Sequence, residues 1–172
     1  MSKYTIRFLF LLFIIGCKSE NTLYDIVIKN GIIYDGTGDK SYKSNIGIKG
    51  DKIAYLGNNN LNGKKIINAD GKAVSPGFIN MLSWGYNSLL KDGRSLSDLK
   101  QGVTLEIFGE GTSPGPKGIP GKKEYISFSK SMDSLVNKGV STNIASFIGA
   151  ATLRINTIGY ENRLAANKEL DE

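Results

Sequence analysis

One missing residue type and two carboxylates set the chemistry open to this chain. Its 172 residues include no histidine. No imidazole is therefore present to hold a metal or move a proton between pH 5 and 8. Cys17 is the single cysteine, so no disulfide closes within the chain. Glu106 and Glu110 occur together in VTLEIFGEG. Strand alternation predicts Thr104, Glu106, Phe108 and Glu110 on one face, and Val103, Leu105 and Ile107 on the other, toward covering helices. Glu110 falls just past the strand end among glycines, which let backbone and ligand come close. A carboxylate there could ligate zinc, which accepts carboxylate oxygen, or could be a solvated loop glutamate. Glu106 lies deeper and, if enclosed, needs a partner or a shifted pKa. In the preceding strand, Asn80, Leu82 and Trp84 are expected to share a face. Asn80 can hydrogen-bond in a pocket. Leu82 and Trp84 cannot bind a metal, and they read as either an apolar pocket floor or as core packing. Arg154 could clamp a substrate carboxylate, although a lone loop arginine is more often solvated.

Glycine is 21 of 172 residues, about 12% against a typical ~7%, which favours short strands and turns over a helical bundle. Short β segments are expected at 25–30, 31–34, 45–49, 52–56, 64–68 and 72–74. Gly50-Asp51 marks a hairpin between two of them. Residues 24–73 thus read as a small β subdomain. From Pro76 the rhythm becomes strand then helix. Strands are expected at 78–83, 103–108 and 143–148. Helices are expected at 95–101, where Ser95 and Asp98 have capping-box spacing, at 123–138, where Tyr125, Phe128, Met132, Leu135 and Val136 form a stripe, and from 161 onward. This alternation predicts an α/β architecture of parallel βα units over 74–172. Three such strands do not close a barrel, and a full eight-stranded one typically needs ~250 residues.

The first residues read as a targeting segment. Lys3 and Arg7 precede the apolar run 8–15, which is too short to span a bilayer as a mature helix. Ile14-Ile15-Gly16-Cys17 resembles the bacterial lipobox. The expectation is a lipoprotein signal peptide over 1–16, a lipidated Cys17, a polar tether over 17–23, and a location in the cell envelope on a lipid anchor. Lys3 and Arg7 also supply two of the net +6 charges. The remaining basic residues form no stripe interleaved with aromatics, which argues against a nucleic-acid partner.

Three stretches carry a family resemblance. YDIVIKNGIIYDGTG is followed by GIKGDKIAYLG and then by SPGFIN, an order that resembles the amidohydrolase superfamily. QGVTLEIFGEGTSPGP and NIASFIGAATLR are similar to the D-aminoacylase (N-acyl-D-amino-acid deacylase) branch. The resemblance runs from Tyr24 to the end. It implies a β-sandwich-like subdomain followed by the first three βα units of an incomplete (β/α)8 TIM-type barrel, the chain being an N-terminal portion. It also implies zinc-assisted hydrolysis of a linear amide of a small-molecule substrate. The departures are specific. Leu82-Ser83-Trp84 stands where the family has His-x-His, and Gly149-Ala150 where the branch has Gly-His. Glu110 stands near the branch's metal-binding cysteine, and so is the metal ligand the resemblance suggests. Asn80, Leu82 and Trp84 would line the pocket at the barrel mouth. Two other readings stay open: a non-catalytic, membrane-anchored binding protein descended from an amidohydrolase, and a cyclic amidase of dihydroorotase or hydantoinase type.

Overall fold

The computed structural model describes residues 23–118 and 125–171. The leader, Cys17 and the tether up to residue 22 lie outside these residues. The chain divides into two compact units, Met1–Ser75 and Pro76–Glu172.

The first unit is a five-stranded sheet. Its strands are β1 (Leu23–Ile33), β2 (Tyr42–Lys49), β3 (Lys52–Gly57), β4 (Asn62–Asn68) and β5 (Ala73–Val74). The order is β3-β2-β1-β4, with β5 beside the end of β1. β2 and β3 form the expected hairpin, turning through Gly50 at φ 61°. The two β segments expected at 25–34 are one strand. Asn30 takes φ 58°, and the register with β2 shifts between Ile28 and Gly31. A bulge thus absorbs the Asn-Gly pair instead of a turn. Val27, Tyr24 and Leu61 form the core, with Tyr55 packed against them. Ile53, Leu56 and Ile66 stay exposed. The described residues make one sheet here, so the second layer of the expected sandwich is not formed by them.

The second unit is built on three parallel strands, β6 (Phe78–Asn80), β7 (Val103–Phe108) and β10 (Asn143–Ser146), in the order β10-β7-β6. Between β6 and β7 run α1 (Tyr86–Lys91) and α2 (Leu96–Lys100). A small pair, β8 (Lys117–Gly118) and β9 (Tyr125–Ile126), and α3 (Phe128–Lys138) lie between β7 and β10. α4 (Ala150–Ile158) and α5 (Asn167–Leu170) follow. Leu89 of α1, Leu135 of α3 and Phe108 of β7 form the core, and the Tyr86 ring meets Phe108 edge-on at 6.2 Å.

Several elements differ from expectation. α3 begins at Phe128 because Ser127 caps it, its side chain accepting from the Lys130 N–H at 3.3 Å. Tyr125 is consumed by β9. The helix expected from 161 onward is only the four residues of α5. α2 has no side-chain cap: Ser95 sits at φ 45° and its hydroxyl points to Glu106. α1 and α4 carry no strong sequence signal.

Candidate active-site edge

The strands β6, β7 and β10 are parallel and end at Asn80, Phe108 and Ser146. The segments that follow them, 81–85, 109–118 and 147–149, therefore leave along one edge of the sheet. In parallel α/β sheets this carboxyl edge is where ligands and catalytic groups gather.

The first segment turns early. Asn80 accepts the Leu82 N–H at 3.2 Å, an Asx turn that ends β6 three residues before the expected limit. Strand alternation therefore does not extend to Leu82 and Trp84. Both are more than half exposed, while Ser83 between them is buried and donates its N–H to the Ile107 carbonyl at 2.9 Å. The second segment starts at Gly109, with φ 89°. A β-carbon there would collide with the Phe147 carbonyl, so only glycine fits. Glu110 follows and is exposed. Beyond it the loop is fastened to α4. The Gly111 carbonyl accepts the Ala151 N–H at 3.1 Å, Thr152 Oγ1 accepts the Ser113 N–H at 2.7 Å, and Asn156 donates to the Pro116 carbonyl at 2.7 Å. Trp84 lies beside this loop, with its Cη2 3.8 Å from where a β-carbon on Gly111 would sit. Phe147 and Ile148, also exposed, form the third segment.

The edge therefore offers Leu82, Trp84, Phe147 and Ile148 as apolar surface and Glu110 as its one acidic side chain. Such a surface suits an apolar group held near a single negative charge. The Asn80 side-chain oxygen is engaged by the Leu82 N–H in this arrangement, which leaves its amide NH2 as the group that could meet a ligand.

Glu106 is placed differently from the expectation. It shares the face of Phe108, which α1 and α3 cover, so this face points to the helices and not away from them. The carboxylate is 2% exposed. Ser83 donates to its Oε2 at 2.7 Å, and Ser95 and Thr142 donate to its Oε1 at 2.6 and 2.9 Å. Sequence reasoning did not pick out these three hydroxyls, which share no motif. The sequence indicated that an enclosed Glu106 needs a partner, but not which residues supply it. A cavity of about 200 Å³ beside it is lined by Gly85, Ser88, Asp92, Ser95 and Asp98 among others. Arg154 is also occupied: its Nη2 donates to the carbonyls of Glu161 and Arg163 at 2.7 and 2.8 Å. In the first unit, a polar cavity of about 480 Å³ is bordered by Asn30, Lys43, Ser44, Asn45 and Asp70.

No protein-family model matches the chain. A D-aminoacylase of Alcaligenes xylosoxydans xylosoxydans is 24% identical over 167 residues, which cover 89% of this chain and 34% of that protein. An N-acyl-D-aspartate deacylase of the same organism is 26% identical over 159 residues, which cover 84% of this chain and 32% of that protein. A solved D-aminoacylase, described as defining a subset of amidohydrolases, superposes with a TM-score of 0.75 at 28% identity over 86% of this chain and 34% of that one. An N-acyl-D-glutamate deacylase of Bordetella bronchiseptica, solved with zinc and a phosphonate inhibitor, has a TM-score of 0.77 at 22% identity, over 87% of this chain and 34% of that one. The latter shows the fold alone. The chain spans about a third of the length of the relatives it matches. D-aminoacylase is further described as having a binuclear metal centre.

The residues described here do not fit such a centre by themselves. No three of His, Cys, Asp or Glu come together in a metal-holding group among the described residues. At the sheet edge, two of the relevant positions are the non-ligating Leu82 and Trp84, leaving Glu110 alone.

Proposed function

We propose that the protein is an amidohydrolase acting on N-acyl-amino acids, D-configured by analogy with its relatives, and that these residues supply one edge of its active site. The observation that carries this is the co-linear match to D-aminoacylase across both the β sheet and the three parallel βα units, 28% identical over 86% of the chain. The edge geometry agrees in kind. An N-acyl-amino acid has an apolar acyl group, an amide and a carboxylate. Leu82, Trp84, Phe147 and Ile148 suit the acyl group or an apolar side chain. Zinc belongs to this reading by resemblance, and Glu110 is the ligand these residues would contribute.

The protein also carries, in this reading, a lipid on Cys17 that holds it to a membrane of the cell envelope. The support is the order of charged, apolar and Gly-Cys segments in the first 17 residues.

The test is a substrate panel offered to the intact protein. N-acetyl amino acids should be hydrolysed with release of acetate, while hydantoins and dihydropyrimidines should not. Hydrolysis of the cyclic amides alone would replace this reading with the cyclic-amidase one. Retention of acyl-amino acids without turnover would favour the non-catalytic binding protein.

A further inference from the structure

Among the described residues of the second unit, Glu106 is the one buried carboxylate, and no cation pairs with it there. It accepts three hydroxyl hydrogen bonds from three separate places in the chain: Ser83 after β6, Ser95 before α2 and Thr142 before β10. A buried carboxyl group held only by hydroxyl donors needs all of them, because each lost donor leaves a buried oxygen unsatisfied. Its Oε2 is spent on Ser83, the residue between Leu82 and Trp84. The Ser83 hydroxyl oxygen in turn accepts the Gly85 N–H at 3.1 Å, closing a local turn. A β-carbon on Gly85 would lie 2.8 Å from Glu106 Oε2, so residue 85 is glycine where the carboxylate must fit. Ser83 is thereby drawn inward, and its two neighbours are turned outward onto the strand-end edge.

We propose that Glu106 is the positioning residue of this edge: through Ser83 it fixes segment 81–85, and so sets where Leu82 and Trp84 stand beside the Glu110 loop. The function of that edge rests on the amidohydrolase reading above, but the positioning does not. In this role Glu106 acts through another side chain, Ser83, and not on a ligand directly. It acts by holding a wall in place from the opposite, helix-covered face of β7.

Trp84 is the only tryptophan of these 172 residues, so within them tryptophan fluorescence reports this segment alone. In the full chain, Ser83→Ala removes a single oxygen and Glu106→Gln removes the charge at constant shape. Both should lower the steady-state anisotropy of Trp84 and raise its quenching by acrylamide. Ser83→Thr, which keeps the hydroxyl, should restore wild-type values. Thr142→Ala removes another donor to Glu106 but leaves the Ser83 link. It should lower the thermal midpoint and leave the Trp84 signal unchanged, which separates positioning from general stability. Wild-type anisotropy and quenching in Ser83→Ala would overturn the proposal. So would a Trp84 signal that simply follows the thermal midpoint in all variants. These readouts need no turnover, so absence of hydrolase activity would count against the amidohydrolase reading and leave this result standing on its own.

Discussion

Glu110 is the sole acidic side chain in the three segments that follow the parallel strands. Its replacement is the most informative single-residue change. Glu110→Gln keeps size and removes charge. If Glu110 serves the metal, turnover by the intact protein should fall by at least about 10–100-fold, the loss typical of groups one shell farther out. Zinc content, measured by elemental analysis, should fall with it, while circular dichroism stays unchanged. Full activity and full metal content would make Glu110 an ordinary loop carboxylate. Much of this site was open to reading at the residue level: the missing histidines, the glycine-flanked Glu110 and the apolar Leu82 and Trp84 are visible in the string of letters. The environment of Glu106 was not. Its three hydroxyl partners lie 23, 11 and 36 positions away, and no local rule links them. Alternation also failed beyond Asn80, because a side-chain hydrogen bond to the backbone at Leu82 overrode the strand pattern.

At the scale of elements, the long periodic or alternating segments were legible and the short ones were not. The β2–β3 hairpin, β7 and the body of α3 follow from pattern and from Gly50 and Gly139 at their ends. α4 offered little pattern. It is defined by contacts, since the Gly111 carbonyl and the Ser113 N–H dock onto its first turn. Core packing sets the stability of this layer. Leu135 of α3 is fully buried against Phe108 and Leu89. Leu135→Ala should cost about 2–5 kcal/mol, read as a lowered denaturant midpoint. Val136→Ala, on the exposed side of the same helix, should change it little. The segment 159–170 depends instead on charge. Arg163 donates to both oxygens of Glu169 at 2.7 Å and to Glu161 at 2.6 Å. The Arg163 guanidinium, helped by the Ala166 N–H, holds the Glu169 carboxyl down to about 2 from its usual 4.5. A carboxylate whose pKa is depressed on folding stabilises above its unfolded pKa, and that contribution is lost as pH falls toward the folded value. Amide protection in this segment, referred to an unfolded peptide at the same pH, should therefore decline between about pH 4.5 and 2. Glu169→Gln should show weaker protection at pH 7 and lose most of that pH dependence.

For the molecule as a whole, fold class and family resemblance were legible because the alternating β segments, the later βα rhythm and the stretches that carry the resemblance all stand in the sequence. The second layer over the first sheet was expected and is not made by the described residues, because Ile53, Leu56 and Ile66 lack a covering element among them. Anchoring is testable independently of fold. Metabolic labelling with a fatty-acid analogue should mark the wild-type protein and leave Cys17→Ser unmarked; equal labelling of the two would end the lipoprotein reading. Stable attachment would call for more than one acyl chain. Hydrolysis of N-acyl-amino acids is tested by acetate release by the intact protein from an enantiomeric pair of one N-acetyl amino acid. The expected result is stoichiometric acetate and free amino acid from the D enantiomer, with little from the L. Release from neither enantiomer, across apolar and acidic side chains, would contradict it.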